Sequence, residues 1–487
     1  MTTSRDRRDD RWRMLCPVVV VAGPLLALAL LAAPPPEGLS VPGWRVAVIG
    51  ALMALWWMTE VVPLPVTALL PVTLFPLTGV MDLDRTAAAY ADPLIFLFLG
   101  GFILARALQR WRLDRRVALA VLRLAGGRPH AIVAGVMAVT AFFSMWVSNT
   151  ATAMMMLPIG QSVIAAFEAA ARGGDGRDLR AFSAALMLAI AYAASIGGMG
   201  TLIGTPPNAL FAGFMRETYR IEIGFAEWMA AAMPVVIVLL PLTWLVLTRV
   251  AFRFSLEPLA GAGETPVGPM SRAEKTVAGL LCAVAAGWML RPVIDGLAPG
   301  LRLSDAGIVM TAAIALFMIP SGAADRAPLL TWDDAARLPW GVLILFGGGL
   351  ALAKAITAAG LAAWLGDALS ALGALPLVAV VVTVAVVVVY LGELASNTAM
   401  AAIFLPIAGA VAIGLGHDPV TLALPVALAA SVGFMLPVAT PPNAIVFASG
   451  TVTARQMLRA GFILDFVGIA VVVAVAMTTA AWVLARA

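Results

Sequence analysis

One block of polar residues appears twice in this chain. SNTATAMMMLPI at 148–159 returns as SNTAMAAIFLPI at 396–407, an offset of 248. GTPPNAL at 204–210 returns as ATPPNAI at 439–445, an offset of 235. Upstream, the Gly-Gly pair ending at Gly101 aligns with Gly348-Gly349 at the first offset, which also sets Arg106 against Lys354. Four motifs matching in order mean that two halves follow one structural plan. The shortfall of 13 between the offsets is expected in the loop near Arg172–Arg180, shrunk to Gly414–Asp418 in the second half.

The residues around these motifs decide the solvent. The 487-residue chain is 62% hydrophobic and 12% charged, with mean hydropathy +0.98, whereas a soluble domain carries about 25% charged residues. Apolar runs such as Val18–Leu31, Val236–Leu247, Ala379–Leu391 and Val467–Ala476 approach, with their flanks, the ~20 residues of a spanning helix. Arg5 to Arg13 ahead of an apolar run is also the pattern of a signal peptide, but the run continues to Ala33 and is read as an uncleaved first span.

Spans are expected at 15–33, 42–59, 65–80, 93–109, 181–203 with 208–215, 228–250, 275–291, 304–320, 339–357, 419–438 with 443–449, and 461–485. The regions 130–170 and 375–415 are different, since each holds Ser-Asn-Thr between two apolar stretches with no polar loop. These are expected as re-entrant hairpins, because irregular backbone at that depth needs a protein-lined cavity. Eleven spans with the N-terminus inside then put about 23 of the 31 basic residues on the cytoplasmic side, as the positive-inside rule requires. Gln109–Ala125 alternates Arg with Leu and Val and reads as an interfacial amphipathic helix or a basic loop.

Each half then contains five spans and a hairpin, and five is odd, so the second copy lies upside down relative to the first. The expected fold class is an all-α membrane protein of about eleven transmembrane helices plus two re-entrant hairpins in two inverted repeats. Its expected divisions are 1–41 (tail and first span), 42–253 (first repeat), 254–274 (linker) and 275–487 (second repeat).

Ser, Asn and Thr cap helix starts, and two prolines suit the first turn of a new helix. Tips at 148–150 and 396–398 with breaks at 204–208 and 439–443 thus aim four positive helix ends at one cavity, an arrangement suited to an anion. None of the four motifs carries Lys, Arg or His, so a dianion needs further neutralisation. Hydroxyl, amide and carbonyl oxygens there suit an alkali cation. Glu60 reads as interfacial, and Glu393 stays open between a structural and a functional role. Arg106 and Lys354 read as snorkelling at helix ends. HExxH, GxSxG and Walker-type motifs are absent. His130 and His417 are too few for a histidine-rich metal site, and Cys16 and Cys282 read as free thiols, so no enzyme is expected.

With WMTEVVPLPVTALLP (57–71), both SNT tips and both TPPN breaks, the chain resembles the divalent anion:sodium symporter family, carriers of di- and tricarboxylates and sulfate. The resemblance implies a homodimer working by an elevator mechanism; the expected location is the inner cell membrane, with the N-terminus cytoplasmic from the charge placement. It implies substrate contacts from Asn149, Thr150, Asn397 and Thr398, with Thr440 and Pro441 nearby. A first sodium site would use Ser144, Ser148, Asn149 and the Gly204 carbonyl. A second would use Asn397 and backbone near Ala395 and Ala439. Members usually carry threonine where this chain has Gly392, so the second site lacks a side-chain ligand. Threonine at both tips resembles the carriers of C4-type dicarboxylates such as succinate, malate and fumarate. The expected activity is sodium-coupled import of such an anion. A sodium-independent dicarboxylate exchanger, a sulfate or tricarboxylate carrier and an anion channel remain alternatives.

Overall fold

The computed structural model describes residues 19–170, 176–259, 268–301, 303–322, 327–368 and 375–484. Arg5–Arg13, Cys16, Arg172 and Arg326 lie outside the described residues, and Cys282 is a free thiol. Among the described residues the regular structure is helical, apart from one isolated bridge between Pro320 and Pro328. Nine described helices are long and apolar enough to cross a membrane, and six shorter apolar helices accompany them.

Both Ser-Asn-Thr motifs sit at the turn of a helical hairpin. The incoming arms are Pro129–Ser144 and Leu377–Gly392, each 16 residues. At 1.5 Å per residue each covers about 24 Å, short of the ~30 Å hydrocarbon core. The returning arms start at the tip asparagines, Asn149–Ala170 and Asn397–Gly414. What holds the first hairpin is the helix Arg177–Met199, which packs on both arms and is buried continuously from Phe182 to Met199. Its small residues allow that approach. Gly197 stands directly against the Ala141 backbone of the incoming arm, where a Cβ would overlap Ala141. In the second half Val420–Ala429 packs on both arms of its own hairpin.

The two halves interlock at their breaks. Pro206–Phe214, which follows the first break, packs against Asn397–Gly414 and Val420–Ala429 of the other half. Pro441–Ala448 packs against Asn149–Ala170 and Arg177–Met199. This exchange carries each break to the opposite hairpin, so the four motifs meet.

Two expectations need correction. The span read at 419–438 is helical only over Val420–Ala429, and the chain stays non-helical until Thr440. Much of the length difference between the halves therefore lies in helices: the helix before the break has 23 residues in one half and 10 in the other, and the returning arms have 22 and 18. Gly433 and Pro437 disfavour a helix here, and acceptors from distant segments take N–H groups of the unwound stretch. Glu393 accepts from the Met435 and Leu436 N–H groups at 2.9 and 2.8 Å, and Asp465 accepts from Phe434 N–H at 3.1 Å. Buried N–H groups satisfied this way no longer need a helix. Gln109–Ala125 does form an amphipathic helix, Leu113–Leu124. Its counterpart Leu361–Ala368, at the 248 offset, was not legible as a separate element.

Candidate functional site

The exchanged breaks close around a cavity of about 680 Å³. Ser148, Asn149 and Thr150 line it from one tip, and Ser396, Asn397 and Thr398 from the other. Gly204, Thr205 and Pro206 face it from the first break, with Ala439, Thr440 and Pro441 from the second. All four helix starts thus reach one space, and the N–H groups of their first turns have no partner within the helix. A larger cleft of about 1040 Å³ runs between Leu113–Leu124 and the first returning arm, but neither break nor the second tip reaches it.

The TPPN asparagines serve the backbone, not the cavity. Asn208 Nδ2 donates to the carbonyls of Gly198, Met199 and Thr201 at 3.0, 3.3 and 2.7 Å. Asn443 Nδ2 donates to Gly433 and Leu436, both at 3.0 Å. A broken helix leaves carbonyls unpaired, and these fully buried amides collect them. Asn208→Ala should lower stability by about 1–3 kcal/mol, because buried acceptors lose their donor. A thermal unfolding scan in detergent checks this; an unchanged midpoint would remove Asn208 from that role.

Behind the first tip lies a cluster of oxygens. Ser144 Oγ is 2.6 Å from the Ala194 carbonyl and 2.6 Å from the Asn149 carboxamide oxygen. The same end of that carboxamide stands 3.1 Å from the Ala194 carbonyl and 3.2 Å from the Gly204 carbonyl. One hydroxyl proton cannot serve both neighbours of Ser144. Either the amide turns its nitrogen inward and shares its two hydrogens among the three, or its oxygen stays and the four oxygens converge. The second arrangement requires a cation, and four hard oxygens fit an alkali ion. Ser144 is fully buried there and Ser148 lies on the cavity side of the tip. Reading the sequence missed the Ala194 carbonyl, because a backbone oxygen in a regular helix leaves no signature.

The second tip is built differently. Gly392 occupies the position of Ser144 and brings no hydroxyl, although a Cβ there would meet only Met400 Cγ at 3.8 Å. Asn397 and Ala439 line the cavity, while Ala395 is buried behind the tip. Glu393, left open by the sequence, braces the unwound segment through the two N–H groups described above. Glu60 and Arg106 depart from their readings as interfacial or snorkelling groups, because both line the cavity with Gln109 and Arg337. Lys354 is not on its lining and pairs with Glu217 at 2.9 Å.

A helical membrane protein whose discontinuous helices bring four uncharged polar motifs to one cavity is a transporter in class, not an enzyme. Residues 9–485 match the family described as the sodium:sulfate symporter transmembrane region, and the chain belongs to it. The sodium-dependent dicarboxylate transporter SdcS of Staphylococcus aureus strain USA300 is 40% identical over 466 residues, covering 94% of this chain and 89% of that protein. The same holds for SdcS of strain NCTC 8325 / PS 47. Among solved structures, the YdaH transporter of Alcanivorax borkumensis shares the fold with TM-score 0.57 at 15% identity, over 91% of this chain and 98% of that one.

Proposed function

We propose that this protein imports a C4-type dicarboxylate such as succinate, malate or fumarate, coupled to sodium. The observation that carries the reading is the double position of Asn149. Its residue lines the cavity where the anion would lie, and its carboxamide faces the oxygens of Ser144, Ala194 and Gly204. A cation bound there fixes the amide orientation, which lets the tip present its N–H groups and Thr150 to a carboxylate. Asn397 and Thr398 receive the second carboxylate from the opposite tip, with Thr440 and Pro441 beside them. Similarity to SdcS, named as a sodium-dependent dicarboxylate transporter, supports both the cation and the anion class.

The hairpins, their central helices and the breaks form one packed group that moves as an elevator against the remaining helices, in a homodimer of the inner membrane with the N-terminus cytoplasmic. Packing of each break on the opposite hairpin supports motion as one body. Repeats of odd span number, inverted between 42–253 and 275–487, supply the two equivalent end states. A second sodium would use Asn397 and the carbonyls near Ala395 and Ala439. Gly392, with no hydroxyl, favours exchange as the second reading.

Succinate uptake into proteoliposomes, with an inward sodium gradient and with potassium in its place, separates the two. Sodium-driven accumulation is expected. Uptake indifferent to sodium but driven by internal dicarboxylate would replace symport by exchange.

A further inference from the structure

The four motifs supply no full positive charge to a dianion, yet two cations hold equivalent repeat positions close to them. Arg106 and Lys354 stand 248 residues apart, each following its Gly-Gly pair on the helices Pro93–Arg110 and Trp340–Ala358. These helices pack against each other.

Their present surroundings are opposite. Arg106 lines the cavity, loosely held: one guanidinium nitrogen lies 3.4 Å from Gln109 Oε1 and another 3.7 Å from Asp334 Oδ1, while its buried Nε has no partner among the described residues. Asp334 is engaged at its other oxygen, Oδ2, by Arg110, by the Thr331 hydroxyl at 2.7 Å and by the Thr331 N–H at 3.1 Å. Burial would raise the Asp334 carboxyl, but the Thr331 hydrogen bonds and the Arg110 charge together hold it below the usual carboxylate range. With only these long contacts Arg106 keeps a donor for the cavity, where Arg337 adds positive charge and Glu60 opposes it. Lys354 is tied down. Glu217 holds it at 2.9 Å, and Glu217 in turn lies 3.4 Å from Arg216, which pairs with Asp92.

We propose that Arg106 and Lys354 are the two portal charges of this transporter, each drawing the dianion in when the cavity opens to its own side. Glu217 keeps Lys354 occupied while the cavity faces Arg106. This rests on the transport reading above and adds the residues that neutralise the anion on its way in. A cation at the mouth of a cleft raises the local concentration of an anion without shaping the bound state, so its loss falls on KM.

The test measures KM for succinate in right-side-out cells and in inside-out membrane vesicles. Arg106→Gln should raise KM about tenfold in one preparation, the scale of electrostatic focusing, with a smaller change in Vmax and recovery in Arg106→Lys. Lys354→Gln should do the same in the other preparation only. Equal shifts in both preparations, or none in either, at matched protein amounts would overturn the proposal. A check without substitution is KM against choline chloride concentration, which should rise with ionic strength at both faces. A KM indifferent to salt would also overturn it. A wild type that moves no succinate overturns the function itself and this inference with it. Wild-type uptake with variants that show no sidedness overturns the inference alone.

Discussion

Asn149→Ala is expected to reduce sodium-driven succinate uptake about 100-fold, because one substitution removes the proposed cation ligand and the polar tip group together, worth ~3 kcal/mol. The protein should still reach the membrane in normal amount. The Asn149 side chain contacts Ser144, Ala194 and Gly204 and fills no hydrophobic core. Asn397→Ala should abolish uptake as well. Without Ser144 beside it, its loss falls on substrate affinity more than on the sodium dependence of uptake. Near-normal uptake by both variants would return the tips to interhelical hydrogen bonding. The measurement is initial uptake at several sodium concentrations, with membrane protein quantified alongside.

Neighbouring glycines on the central helix should fail in different ways. A Cβ at Gly197 would overlap the backbone of Ala141 in the incoming arm. Backbone cannot rotate away, so Gly197→Ala should cost about 3 kcal/mol or more through overpacking. Its signature is loss of folded protein in detergent. A Cβ at Gly198 would instead meet the Asn149 carboxamide. A side chain can yield, so Gly198→Ala should fold and lose transport, as Asn149→Ala does. If Gly198→Ala transports normally, the position of Asn149 against that helix does not matter for function. If Gly197→Ala is as stable as wild type, the tight approach of helix and hairpin is not needed for folding.

Much of the site was legible because its chemistry lies in side chains repeated at a fixed offset. Ser148, Asn149 and Thr150 recur as Ser396, Asn397 and Thr398, and the breaks recur with their prolines. Periodicity also marked most helices, since apolar segments bounded by Pro, Gly and polar residues have few alternatives in lipid. It failed at 430–440, where the apolar run outweighed the breakers Gly433 and Pro437. There Glu393 and Asp465 reach in from other segments and take the N–H groups a helix would have used. Arg106 was misplaced for a related reason: a helix-end arginine looks the same whether it faces headgroups or a cavity.

By itself the sequence determined that the chain lives in a membrane, that it has two matching halves, and that four neutral polar motifs mark its helix starts. Each follows from local rules of hydropathy, capping and proline geometry. Tertiary structure alone decided which oxygens meet. The Ala194 carbonyl joins Ser144, Asn149 and Gly204 only because a helix of small residues packs within backbone contact of the hairpin. Only packing set Arg106 facing the cavity and tied Lys354 to Glu217, although the two occupy the same place in the repeat. Backbone oxygens and the partner chosen by a charge depend on distances between segments far apart in the chain, and no local pattern of residues encodes those distances.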